Sequence, residues 1–221
     1  CAAGGLIGQV QSGSGSVTIK NCVVYANVEN TGSNPDSLAG GLVGSVSNDN
    51  RLNIENCIAM GSVSTTSGKG AGGLVGGPNR KVTVRNSAAL QKSVSTGSRS
   101  GCVGRIFGYS NDGKDYVTGD NNYAYADMTG GYNSDGKFPS VSEHNVGNAY
   151  KKDLLTTKFW NETIGWAGNT NWTINEEGQL PTLKTNGKVI FSGADIPEYL
   201  ENTDQVTGTV TDGAGSGIEG A

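Results

Sequence analysis

The sequence predicts an all-β solenoid, a parallel β-helix-like stack of three to four coils closed by a small helix-containing C-terminal cap. A hexamer, AGGLVG, stands verbatim at 39–44 and again at 71–76. Two further phrases recur behind it in the same order. The apolar side chains are mostly small, with aromatics at only 7% and 36 glycines in 221 residues. A thin core of many short strands suits such a composition better than a thick helical one.

The hexamer also opens the chain as AGGLIG at 3–8 and returns in degraded form as SGCVG at 100–104. The second phrase reads VTIKNC ending at Cys22, LNIENC at Cys57, VTVRNS at Ser87 and, more loosely, GDNNY at Tyr123. The third reads VVYANV to Val28, IAMGSV to Val63 and AALQKSV to Val94. Aligned on the second glycine (Gly5, Gly41, Gly73, Gly101) the spacings are 36, 32 and 28 residues. Aligned on Asn21, Asn56, Asn86 and Asn122 they are 35, 30 and 36. Each phrase is an apolar or alternating run rich in Val, Ile and Thr, parted from the next by Ser/Gly/Asn/Asp loops, which is strand chemistry. Short strands in units of about 30 residues, repeated in phase, spell a solenoid whose coils stack at about 4.8 Å. A phosphate loop is excluded because no Lys-Ser/Thr follows the glycines.

In such a stack Gly5, Gly41 and Gly73 mark tight turns or places where neighbouring coils press on the backbone. Leu6, Leu42, Leu74 and Cys102 are expected as one inward column. Asn21, Asn56, Asn86 and Asn122 form a second column. Stacked asparagines can bond one another and the corner backbone, or act singly as turn formers, and their in-phase recurrence favours the ladder.

The array is expected to occupy residues 1–128. A cap follows over 129–187, in which KKDLLTTKFW reads as a short helix with Leu154, Leu155 and Phe159 on one face. Trp160, Trp166 and Trp172, the only tryptophans, all fall in this cap. They are expected to plug the open core end, with Phe159 and Trp160 over the last coil near Ile106 and Phe107; an exposed sugar platform is the other reading. Residues 188–221 form a connector, with a short helix at IPEYL, and a partial β-sandwich-like segment.

The chemistry-bearing residues are few. Formal net charge is −4 with no basic cluster, so a nucleic-acid partner is not expected. No run of 18 apolar residues exists, so membrane insertion is not expected either. Cys22 and Cys57 share a slot in successive units and are expected as buried free thiols, because same-facing ladder cysteines seldom meet disulfide geometry. The repeat begins at once behind Cys1, which argues against that residue as a lipid-bearing anchor. No C-x-x-C and no H-E-x-x-H occur, and His144, the single histidine, sits in a loop-like SEHNVGN. Asp/Asn-rich turns at 110–115, 119–122 and 133–136 suggest calcium, but none completes a D-x-[DN]-x-[DN]-G loop. Arg51, Arg80, Lys81, Arg85 and Arg105 read as scattered surface charge. No catalytic residue, metal or cofactor is expected, and the ligand-binding residues are not legible.

GGLVG followed by I-x-N-C and G-S-V resembles the GLUG repeat of bacterial surface proteins, over Ala3 to about Ser100 and more weakly to about Met128. The resemblance implies a β-solenoid outside the cell, found in adhesins and beside the catalytic domains of IgA-specific metallopeptidases. The expected function is therefore a non-catalytic extracellular segment, a stalk or adhesin on the bacterial cell surface that binds a host or microbial glycan or a surface protein. The alternative is an accessory region flanking a peptidase or glycan-active enzyme domain of the same polypeptide. DSL at 36–38 resembles a short O-glycosylation motif of exported Bacteroidetes proteins. VTGTVTDGAGSGIEGA resembles the opening of a carboxypeptidase-regulatory-like or Ig-like module, which implies further domains of the same polypeptide.

Overall fold

A computed structural model describes residues 1–11, 15–47, 51–78, 81–97, 103–108, 117–132, 138, 146–174 and 177–201. The first coil holds β1 (Ala2–Gly4), β2 (Ile7–Val10), β3 (Ser16–Lys20) and β4 (Val23–Asn30). The second repeats them as β5 (Leu38–Gly40), β6 (Val43–Val46), β7 (Arg51–Glu55) and β8 (Ile58–Thr65), and the third as β9 (Gly70–Gly72), β10 (Val75–Pro78), β11 (Val82–Arg85) and β12 (Ala88–Thr96). A fourth, abbreviated set follows as β13 (Val103–Gly104), β14 (Val117–Asp120), β15 (Asn122–Tyr125) and β16 (Thr129–Tyr132), and β17 (Val146–Ala149) lies beyond it. Equivalent strands pair in parallel, in the orders β1-β5-β9-β13, β2-β6-β10, β3-β7-β11-β14 and β4-β8-β12-β15-β17. The chain is a β-solenoid of about three turns. Each of the first three coils has four strands, because the hexamer bends in its middle and supplies two.

That bend explains the glycines. A Cβ on Gly5 would overlap the carbonyl of Gly41, one on Gly41 the carbonyl of Gly73, and one on Gly73 the carbonyl of Arg105. Successive coils therefore close on one another only where the side chain is a hydrogen. The leucine amides mark the same corner: Leu6 N–H donates to Leu42, Leu42 to Leu74 and Leu74 to Ile106. Leu42, Leu74 and Ile106 are fully buried, whereas Leu6 remains 49% exposed. Leu6 lies at the outer face of the first coil, covered by Leu42 on one side only.

The pairing also corrects the fourth unit. Gly104 stands against Gly72 and Phe107 against Val75, so the fourth hexamer is VGRIFG at 103–108, and Ile106, not Cys102, continues the leucine column. Gly101 and Cys102 lie outside the described residues. Arg105 occupies the crowded glycine slot because β13 is the last strand of its sheet among the described residues, and its guanidinium donates to the Asn148 side chain at 2.6 Å. Arg85 likewise is not scattered charge. Register aligns Lys20, Glu55, Arg85 and Asp120 as alternating signs, with Lys20 and Glu55 paired at 2.6 Å. Such exposed pairs add little stability each, but a one-residue slip would turn every apolar face of these strands outward.

The asparagine column is a row of left-handed corners. Asn21, Asn56, Asn86 and Asn121 have φ of 50°, 54°, 47° and 50°. Asparagine tolerates that conformation better than other residues with a Cβ. The fourth member is Asn121, one residue before the expected Asn122. Asn122 takes the slot of Cys22, Cys57 and Ser87 instead, where it is buried and its Oδ1 accepts from Ser87 N–H at 3.1 Å.

The C-terminal region runs down the side of the stack. After α1 (Lys151–Leu154) comes a wide π-helical turn over Phe159–Thr163, with Leu154, Leu155, Phe159 and Trp160 all buried. Phe159 meets Tyr123 of the fourth coil edge-on at 5.2 Å. Trp160 packs on Trp166 at 4.9 Å, and Trp166 stacks on Trp172 at 4.6 Å. The indole of Trp166 donates to the carbonyl of Asn86 at 2.8 Å and that of Trp172 to Asn56 at 2.9 Å. Asn169 and Asn171 close the series on the Asn21 side chain, both at 3.0 Å. The expected lid over the last coil is thus a brace that starts there and contacts every earlier corner in turn. The tryptophans are 1–3% exposed, which removes the sugar platform.

A small antiparallel sheet completes the brace: β18 (Trp172–Thr173), β19 (Thr182–Thr185) and β20 (Lys188–Phe191). Asn186 and Gly187, at φ 50° and 75°, make the β19–β20 turn, so the expected boundary at 187/188 falls inside a hairpin. Residues Glu198–Leu200 form a 3₁₀ turn that docks back on the solenoid, with Leu200 fully buried. The sandwich-like segment at 206–221 lies outside the described residues.

The glycine corner yields a test. Gly41→Ala should lower unfolding free energy by about 1–3 kcal/mol, as overpacking does, while Gly15→Ala, with nothing within 4 Å of the added Cβ, should stay within about 0.5 kcal/mol. Urea unfolding of both variants measures this, and equal effects would contradict the packing account.

Candidate functional site

On β4, β8 and β12, side chains of Val24, Ala59 and Ala89 face inward against the glycine corner. Alternation then turns Tyr25, Met60 and Leu90 outward. Met60 and Leu90 are nonetheless at most 1% exposed, because the Glu198–Leu200 turn lies over them. Tyr199 anchors that turn: its hydroxyl accepts from Gly61 N–H at 3.0 Å and donates to the Leu90 carbonyl at 2.7 Å. Its ring faces Tyr125 at 6.0 Å, and the Tyr125 hydroxyl donates to the Tyr199 carbonyl.

Between Tyr199 and the first coil an open cleft of about 650 Å³ remains, lined by Tyr25, Asn27, Ser62, Lys92, Ser93 and Tyr199. Two backbone irregularities shape it. Lys92 is the extra residue of β12 between Gln91 and Ser93, a bulge against β8, and bulges re-aim side chains beside sites. Gly61 has φ 98°, and a Cβ there would strike the backbone of Ala26, so the floor carries no side chain. Tyr25 is 59% exposed, and Ser62 donates to Asn27 Oδ1 at 2.9 Å. None of these residues stood out in the sequence. The signal was the extra letter in AALQKSV relative to IAMGSV.

Burial pushes the Tyr199 phenol up to about 12, with the Tyr25 phenol adding to the rise and the Gly61 N–H opposing it. Burial, followed by Asp127, also raises Tyr125. Raised phenol pKa values stabilise the docked turn below the unfolded value of about 10, and that contribution is lost as pH climbs toward 12.

The thiols form a second cluster. Cys22 and Cys57 are both free and adjacent in register, with Ile58 N–H donating to Cys22 O at 2.9 Å. Cys57 is fully buried and Cys22 is half-buried. Cys22 Sγ donates to the Lys20 carbonyl and Cys57 Sγ to that of Glu55, both at 3.2 Å. The neighbouring Cys57 thiol pulls the Cys22 thiol down against the opposing effect of burial, and the Cys22 thiol together with burial pushes Cys57 up.

Other candidates do not assemble. Ser37 of the DSL motif is fully buried, so its hydroxyl is closed to a modifying enzyme. His144 and the acidic loops at 110–115 and 133–136 lie outside the described residues. No group of three potential metal ligands occurs among the described residues, and no helix there is long and apolar enough to cross a membrane. Comparison with protein families, curated proteins and solved structures finds no match.

Two measurements check these environments. Titration followed at the tyrosinate absorbance should show docking of the 3₁₀ turn weakening from about pH 10 upward, and Tyr199→Phe should reduce that dependence. Alkylation near pH 8 with peptide mapping should modify Cys22 and spare Cys57 until the protein is denatured. Equal rates at both thiols would contradict the assigned environments.

Proposed function

We propose that this chain is a non-catalytic segment of a bacterial cell-surface protein, a stalk-like solenoid whose side wall recognises a glycan or a surface protein. The observation that carries the reading is the cleft beside Tyr25. A stack with its corner braced by tryptophans presents one tyrosine 59% exposed next to a bulged lysine and a row of short polar side chains. Aromatic faces held in water next to hydrogen-bonding groups mark recognition surfaces. The phrases that resemble the GLUG repeat support the same placement on the cell exterior, since they are the strands that build the wall.

The rigid frame suits the role. Coil-to-coil pairing fixes Asn27, Ser62 and Ser93 in one row at successive steps of about 4.8 Å, with Tyr25 two residues before Asn27 on the same strand, so little ordering remains for binding to impose. Incubating the labelled chain on arrays of glycans and of extracellular proteins should give saturable binding to a subset. Absence of saturable binding to either array would contradict the reading and leave a passive spacer.

A further inference from the structure

We infer that the Tyr25 cleft is a saccharide site selective for sugars bearing a carboxylate. The inference rests on the surface-recognition reading and specifies its ligand. Three features of the cleft carry it. First, the Tyr25 ring is 59% exposed and forms one wall, while Tyr199, held by two hydrogen bonds, forms the other. The C–H face of a pyranose fits against the electron-rich face of such a ring. Second, Asn27, Ser62 and Ser93 supply an amide and two hydroxyls at adjacent rungs, donors and acceptors that match vicinal sugar hydroxyls. Third, among the described residues Lys92 lines the cleft and no Asp or Glu does. The described lining therefore offers one cation to a ligand and no opposing carboxylate, and an ammonium–carboxylate hydrogen bond is among the stronger polar contacts.

The floor argues against a peptide. Strands β8 and β12 are each paired on both sides, so the floor presents no free ladder; an added strand could pair only along the outer edge of β4, away from Ser62, Lys92 and Ser93. At about 650 Å³ and open on one side, the cleft fits a short oligosaccharide and falls within the range of small-ligand pockets. The Gly61 floor keeps the path between Tyr25 and Ser62 clear, since any Cβ there would overlap Ala26.

Isothermal titration of the full chain tests this with short uronic-acid oligosaccharides, their methyl esters, sialylated oligosaccharides and an acidic peptide. A free acid should bind saturably, and the uronic and sialylated arms tell the two carboxylate sources apart. Tyr25→Ala should weaken that binding by about tenfold. Lys92→Gln should weaken the free acid by about fivefold and leave the methyl ester unchanged. Thr18→Ala, on another face, should change nothing, and all variants should keep the parent melting temperature. The proposal is overturned if no free acid binds, if ester and acid bind alike, if the peptide binds as well as the sugars, or if Tyr25→Ala leaves binding intact. Array binding that survives Tyr25→Ala would remove the cleft assignment while leaving surface recognition standing; silent arrays would remove both.

Discussion

The left-handed asparagine corner is the constraint on which the rest of the molecule depends. At Asn21, Asn56, Asn86 and Asn121 the chain leaves one strand and enters the next at positive φ. The amide there still reaches the next coil, as in Asn56 N–H to Arg85 O at 3.2 Å and Asn86 N–H to Asp120 O at 3.0 Å. At Asn56 and Asn86 the carbonyl is met from outside the coil, by the indoles of Trp172 and Trp166. A corner that turns the chain thus also supplies the acceptors that fasten the C-terminal region. Those acceptors lie on successive coils, which is why the indoles stack at 4.6 Å.

The same brace positions the cleft. Having descended to Asn21, the chain makes its hairpin and returns to the outer face of β8 and β12, where Tyr199 covers Met60 and Leu90. Tyr25 occupies the equivalent row on the first coil and Tyr125 that on the fourth. Tyr125 is covered and Tyr25 is not. The cleft is the part of the row that the returning turn leaves open. Its width follows from how far Tyr199 reaches, and the Gly61 amide sets that reach.

The stack was legible in the sequence because its strands obey a local rule. Period-two apolar runs such as VTIKN and LNIEN recur in phase, and the burial of Ile54 and Val84 follows from that alternation. The fourth unit was harder to read. SGCVG matched the small residues of the hexamer, but VGRIFG keeps its true pattern, with Arg105 in the glycine slot because no further strand among the described residues closes on it there. Likewise Asn121 and Asn122 are adjacent identical letters, and only backbone sign separates a corner residue from the buried side chain behind it. The Asn-Gly at 186–187 was a readable hairpin signal. The brace was not readable, because an indole donating to a carbonyl 80 residues earlier leaves no periodic trace. The cleft was hidden for a similar reason: it joins the first coil, a bulge in the third and a residue beyond position 190.

All three tryptophans lie between positions 160 and 172, so indole fluorescence reports the brace alone, whereas far-ultraviolet circular dichroism reports chiefly the strands. If the asparagine corners and the tryptophan brace hold the molecule as one body, urea unfolding followed by the two signals gives superimposable transitions with one midpoint. A fluorescence transition that precedes loss of the strand signal would show a cap merely appended to an independently stable solenoid, and would contradict the account.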